Sequence, residues 1–116
     1  MRENKLLNLS QEFAINIIDL ANSLKKIKEH SLADQIKRSG TSISSNIVEA
    51  NYPQSRLDMI SKFEIALKEA SETENWLFVL SKSNLVENAL FETLHNKVVK
   101  IKILLISSIK TLKSKL

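Results

Sequence analysis

Residues 32–50 read LADQIKRSGTSISSNIVEA, and their spacing decides the fold. Leu32, Ile36, Ile43, Ile47 and Ala50 are spaced three, four or seven positions apart, so they share one face of a helix. Beside that face runs a polar lane of Gln35, Arg38, Ser42, Asn46 and Glu49. The rest of the stretch is made of small residues, which let neighbouring helices approach closely. Gly40, the only glycine of the chain, sits inside the pattern. An interior glycine costs about 1 kcal/mol relative to alanine. Where the flanking periodicity runs on undisturbed, it marks close packing rather than a break.

The same periodicity continues outward in both directions. In a chain of 116 residues, 43% hydrophobic with one glycine, one proline and few aromatics, little material is left for turns or stiff strands. The expected class is all-α, a single domain over 1–116, folded as an up-down-up-down four-helix bundle. Helices are expected at about 8–29, 31–50, 55–80 and 85–114. Each start offers a capping pair three residues apart: Asn8 with Gln11, Ser31 with Asp34, Ser55 with Asp58, Asn84 with Glu87. The first seam is Leu9, Phe13, Ile17, Leu20, Leu24 and Ile27, widened by Ala14, Ile18 and Ala21; the last is Phe91, Leu94, Val98, Ile101, Leu105 and Leu112, interrupted by Ser108.

The third seam contains a carboxylate. Ile60, Phe63, Leu67, Ala70, Glu74 and Leu77 line up, and at 100° per residue Glu74 falls between Phe63 and Leu67. A buried carboxylate needs a partner. With helices 2 and 3 antiparallel, Gln35 lies roughly level with Glu74 and Arg38 is within reach along the groove. The set Gln35, Arg38, Ser42, Asn46, Glu49 and Glu74 therefore reads as a network fixing helix register, as a wet face, or as a subunit interface. Ile15 and Val48, off the main seams, favour the interface.

At this point a resemblance is visible. Gln35 to Asn51, QIKRSGTSISSNIVEAN, resembles the signature of the four-helix-bundle proteins encoded by intervening sequences in bacterial 23S rRNA genes. In that family a glutamine is followed by Arg-Ser, Ser-Ile and Asn-Ile-x-Glu-Gly. Gln35, Arg38, Ser39, Ser42, Ile43, Asn46, Ile47 and Glu49 match it. A second block, IALKEASETENWL from Ile65 to Leu77, is similar to the family's later pattern through Ser71, Glu72 and Glu74. Two positions depart from it: Ala50 replaces a glycine at the end of helix 2, and Lys68 replaces one in helix 3. The resemblance implies a ring-like homo-oligomer, a pentamer. It also brings in the related accessory protein of diversity-generating retroelements, which binds nucleic acid and a reverse transcriptase. RNA or DNA, and a reverse transcriptase or other protein, are thus the implied partners. No catalytic residues come with it.

Charge gives an independent reading. The formal net charge is +4, and after Glu92 no acidic residue occurs. Lys97, Lys100, Lys102, Lys110, Lys113 and Lys115 follow, scattered around the helix axis without forming one stripe. Lys25, Lys26, Lys28 and Lys37, with Arg38, make a second basic group near the helix 1–2 turn. These ten lysines read either as solvated surface with favourable helix C-termini or as contacts to an RNA or DNA backbone. With Tyr52 and Trp76 the only plausible stacking platforms, such contacts would be electrostatic and weakly sequence-specific.

Enzyme chemistry finds little support. A di-iron carboxylate bundle needs two Glu-x-x-His motifs and two further glutamates. Glu92 and His95 supply one motif, but Ile27 stands where His30 would need a carboxylate. One glycine cannot build a phosphate loop, and the absence of cysteine leaves no thiolate site. A non-enzymatic protein without metal or cofactor is expected. The leading function is a nucleic-acid-associated accessory or scaffold; the alternative is a scaffold for protein partners alone. The N-terminus lacks a signal-peptide core, and Val98–Ile109, the most apolar run, is too short to span a bilayer. A soluble cytoplasmic protein, with no membrane partner, is the expectation.

Overall fold

A computed structural model describes the backbone of residues 2–116 and the side chains of residues 5–116. It contains four helices in sequence: α1 (Arg2–Lys26), α2 (His30–Ala50), α3 (Arg56–Lys82) and α4 (Asn88–Lys113). Each packs on its two neighbours around a square, α1 on α2, α2 on α3, α3 on α4 and α4 back on α1, and the last of these seams is the sparsest. Ile17 faces Gly40 and Lys25 faces Asp34, so α1 and α2 run antiparallel. Arg38 faces Glu72 while Glu49 faces Lys62, so α2 and α3 do too. The result is the expected up-down-up-down four-helix bundle, an elongated body of 47 × 22 × 20 Å.

The core follows the apolar spacing, with local shifts. Phe13, Ile17, Leu24, Ile36, Ile43, Ile47, Leu77, Leu94, Val98, Ile101 and Leu105 are buried on the axis. Because α1 begins at Arg2, Leu6 joins the core and Asn8 is an interior, exposed helical residue rather than a cap. In α4 the buried position near the C-terminus is Ile109, with Ser108 only half-buried. In α3, Ala66 and Thr73 are buried where Leu67 and Glu74 were expected. Apolar spacing of three and of four are both available there, and the small residues win the centre because α2 approaches closely on that side.

Caps were read correctly at one start. Ser55 precedes α3 in extended conformation and its hydroxyl accepts from the Asp58 N–H at 3.0 Å. The Asp58 carboxylate in turn accepts from the Gln54 N–H at 3.1 Å. Helices α2 and α4 start instead after Glu29 and Glu87, neither giving a side-chain cap. Their entries are set by the preceding helix ends. The Glu29 and Leu85 N–H groups donate to the Leu24 and Leu80 carbonyls, both at 2.9 Å, while Lys28 and Asn84 donate to Lys25 and Ser81. These are Schellman closures with Lys28 (φ 67°) and Asn84 (φ 59°) in the left-handed conformation usually given to glycine. Asparagine tolerates that conformation; lysine adopts it against its steric preference.

The chain's single glycine is spent on packing. A Cβ built at Gly40 would lie 2.7 Å from Ile17 Cγ2 and 3.0 Å from its Cβ, inside van der Waals contact with a buried branched side chain. Gly40→Ala should therefore destabilise the bundle despite its gain of about 1 kcal/mol in helix propensity. The expected fall is about 1–2 kcal/mol net, read as a lower midpoint in urea at unchanged slope. A double-mutant cycle with Ile17→Ala should show coupling between the two sites. A neutral or stabilising Gly40→Ala would contradict the close approach.

Candidate nucleic-acid interface

The polar lane of α2 lies along the groove with α3. Arg38 is held between two carboxylates of α3: its Nη1 donates to Glu69 Oε1 at 3.3 Å and its Nη2 to Glu72. The Glu72 bond, with the charges of both carboxylates, raises the Arg38 pKa further above its ordinary value. Trp76 Nε1 donates to the same Glu72 oxygen at 3.4 Å. At the other end of the lane Glu49 meets Lys62 at 3.1 Å. Between them, Ser42 donates to the Arg38 carbonyl at 2.6 Å and Asn46 to the Ser42 carbonyl at 2.8 Å, both within α2. Gln35 is exposed. The lane is thus two ion-pair ties to α3 joined by local bonds, and it does not include Glu74.

Glu74 turns the other way. Half-buried on the α4 side, it accepts from Lys102 Nζ at 2.7 Å and is hydrogen-bonded to His95 Nε2 at 3.0 Å. Gln35 and Arg38 are not its partners, because α3 is rotated so that Thr73, one residue earlier, points at α2. The Thr73 and Ser39 hydroxyls are 2.8 Å apart and fully buried. This pair is the buried polar contact that the sequence reading missed; its only signal was the i, i+7 spacing of Ala66 and Thr73. The Lys102 hydrogen bond, opposed by burial and helped by the charges of Lys102 and His95, holds the Glu74 carboxyl below the usual carboxylate range. His95 also stacks on Phe91, with ring centroids 5.3 Å apart. Its use by Glu74 takes it away from Glu92, the other half of the Glu-x-x-His motif. Among the described residues no three metal-ligating side chains converge.

The ten candidate lysines fall into two groups. Four are engaged by carboxylates: Lys25 with Asp34 at 3.6 Å, Lys97 with Glu12 at 2.9 Å, Lys102 with Glu74 and Lys113 with Glu64 at 3.0 Å. Lys97 also donates to Asn16 at 2.9 Å, and its hydrogen bond draws the Glu12 carboxyl below its ordinary value. These pairs stitch α1 to α2, α1 to α4 and α3 to α4. The other six, Lys26, Lys28, Lys37, Lys100, Lys110 and Lys115, are exposed, and no carboxylate among the described residues lies within ion-pair distance of them. Lys26 ends α1, Lys28 lies in the α1–α2 turn and Lys37 is in the first half of α2; Lys100 and Lys110 lie in α4 and Lys115 just beyond its end.

Concave surface is shallow. One groove of about 290 Å³ lies beside the α2–α3 turn, lined by Val48, Glu49, Tyr52 and Lys62 among others. Another of about 280 Å³ follows the sparse α1–α4 seam past Asp19, Leu90 and Lys97. Both are open to solvent and mix charge with apolar surface, in the manner of contact surfaces more than enclosed ligand pockets. No described helix is long and apolar enough to cross a membrane.

Three comparisons bear on this arrangement. The family model described as 23S rRNA-intervening sequence protein matches residues 2–107, leaving Lys110, Lys113 and Lys115 beyond the matched stretch. The crystal structure of a protein of unknown function from the S23 ribosomal protein family of Bacteroides thetaiotaomicron VPI-5482 is 43% identical, with a TM-score of 0.88. That match covers 95% of this chain and 99% of the other. No curated protein matches the chain.

The Glu74 cluster has a signed pH consequence. A carboxyl whose folded value is depressed contributes stability above its unfolded value of about 4.3, and loses it as the pH falls through the lower folded value. Glu74→Gln should cost about 1 kcal/mol near pH 7, and that difference should vanish in acid below the carboxylate range. Thermal melts of both proteins across pH 2–7 check it. A pH-independent difference would show that Glu74 acts by packing alone.

Proposed function

We propose that this chain, which belongs to the 23S rRNA-intervening sequence protein family, acts as a non-enzymatic accessory or scaffold that self-associates and binds an RNA or DNA backbone. One observation supports the nucleic-acid half above the rest. Lys28 occupies a left-handed position just past the end of α1, glycine's place, two residues from Lys26, and neither has an ion-pair partner among the described residues. A backbone conformation that disfavours lysine, filled by lysine, keeps a cation at the tip of the bundle. Lys100 lies in mid-α4 and Lys115 at the opposite end of the bundle, where the Arg56 side chain donates to its carbonyl, so they are separate cations outside this tip. Contacts of this kind neutralise phosphates without reading bases, so they multiply with the number of copies in an assembly.

The self-association half rests on the outer face of the α1–α2 pair. There Ile15 is 61% exposed and Val48 38%, set among the small polar residues Thr41, Ser44 and Ser45. Apolar side chains on a surface of low bulk and low charge suit contact with a second copy, and in a ring such a contact is head-to-tail. The family resemblance points to five copies. The place of action under this reading is the cytoplasm.

Lys28→Gly separates stability from binding. It should raise stability by about 1 kcal/mol, by relieving the left-handed lysine. At the same time it should weaken binding to a labelled RNA hairpin several-fold and flatten the salt dependence by about one phosphate contact. Fluorescence anisotropy over a salt series, with light scattering for size, reads both. Binding absent at low salt, or unchanged in Lys26→Glu/Lys28→Glu, would transfer the role to a protein-only scaffold.

A further inference from the structure

Helix α4 carries a second seam, on the side away from the core. Glu92, Asn96, Val99, Ile103, Ile106, Lys110 and Lys113 are spaced four, three, four, three, four and three residues apart, the heptad spacing of a coiled coil. At 100° per residue they fall in an arc of about 100°, centred well away from Leu94, Val98, Ile101, Leu105 and Ile109, which face the core. Ile103 is 60% exposed and Ile106 42%, although each lies in mid-helix with no other helix of the bundle over it. Val99, Ile103 and Ile106 thus give a bundle helix a second apolar arc, which suits a second packing contact.

The charges on this seam identify what covers it. Val99, Ile103 and Ile106 make its apolar centre, Glu92 and Asn96 lie on one side and Lys110 on the other, with Lys113 already paired to Glu64; neither Glu92 nor Lys110 has an ion-pair partner among the described residues. In an antiparallel coiled coil each a position faces a d position of the other helix. Turned over on a copy of itself, with the axis level with Ile101, the seam places Glu92 against the copy's Lys110, Asn96 against its Ile106, Val99 against its Ile103, and Lys110 against its Glu92. A parallel pairing would instead stack Glu92 on Glu92 and Lys110 on Lys110. An antiparallel pairing shifted by one heptad would leave Glu92 overhanging and set Lys110 against Val99. We infer that the outer face of α4 docks antiparallel on α4 of a second copy of this chain, about a two-fold axis, in the register that pairs Glu92 with Lys110.

This contact is isologous, so it differs in kind from the head-to-tail contact of a ring and does not depend on one. Alone it gives a dimer. An odd-membered ring cannot satisfy it internally and would join a second ring, doubling the number of copies. Two heptads of seam bury less than a standard interface, so the isolated dimer should be concentration-dependent. Lys110 is then occupied by the partner copy, and phosphate contact is left to Lys26, Lys28, Lys37, Lys100 and Lys115. Lys100 flanks the seam and comes near its own copy across the axis, where solvent screens the repulsion.

Register can be read by cross-linking, because the chain contains no cysteine. Full-length protein carrying Val99→Cys and Ile103→Cys should oxidise to a covalent dimer. Ile103→Cys with Ile106→Cys, which reports the shifted register, should not. Sedimentation across a concentration range supplies the second readout. Glu92→Lys should raise the dissociation constant at least tenfold, and adding Lys110→Glu should restore it, since the swap rebuilds the same pairs. Circular dichroism monitors folding of each variant. Failure of the first cysteine pair to cross-link, or failure of the charge swap to rescue a folded Glu92→Lys protein, overturns the inference. The ring reading fails separately: cross-linking with a dimer-sized particle removes the ring and keeps the α4 contact, and an odd-numbered particle without cross-linking does the reverse.

Discussion

Ile17 lies against the backbone of α2 at Gly40, and the rest of the bundle is arranged around that approach. A side chain of any size at position 40 would push α1 outward, because the nearest atoms belong to a branched residue already fixed in the core. The same helix shows small side chains to its other neighbour: Ser39 is buried against Thr73 of α3. With Ala33 and Ala50 also buried, the small residues flanking its three buried isoleucines let α2 sit close to both α1 and α3. Ile36, Ile43 and Ile47 fill the axis together with large residues of the other helices. Close packing of this kind leaves no slack, so the position of α2 sets the rotation of its neighbours.

Rotation of α3 is where that constraint reaches the polar residues. Closeness to α2 favours Ala66 and Thr73 at the contact, and this swings Leu67 and Glu74 toward α4. Glu74 meets Lys102 and His95 there, while Glu69 and Glu72 come round to Arg38. Each adjacent pair of helices acquires an ion pair in this way: Lys25 with Asp34, Arg38 with Glu69 and Glu72, Glu74 with Lys102, and Glu12 with Lys97. Exposed pairs of this type contribute little each to stability. Their larger effect is on register and on the surface, since together with Lys113–Glu64 they remove four of the candidate lysines from the pool of unpaired cations and leave six.

The family signature reads as architecture when it is laid on these helices. Ser39 and the adjoining Gly40 serve the two close helix contacts, Arg38 and Glu49 tie α2 to α3, and Ser42 and Asn46 bond to carbonyls of their own helix. Exposed cations and apolar side chains lie at other positions: Lys26 and Lys28 near the α1–α2 turn, Lys37 and Val48 between the matching residues of α2, Ile15 of α1, and the outer seam of α4.

The sequence alone determined the class, the number of helices, their order and most of the core. Those follow from periodicity, which is local: 3.6 residues per turn put Leu94, Val98, Ile101 and Leu105 on one side whatever they touch. It also located the glycine contact, because a lone glycine in an unbroken helical pattern has few other uses. Tertiary structure decided what periodicity leaves open. Spacings of three and four are equally helical, so whether Thr73 or Glu74 faces α2 depended on how closely that helix comes. Capping pairs at Ser31 and Asn84 were overruled by Schellman closures at Lys28 and Asn84, which the turn geometry required of a chain with no glycine there. Which lysines stay unpaired was decided in the same way, since an ion pair between helices depends on rotations that no single helix specifies.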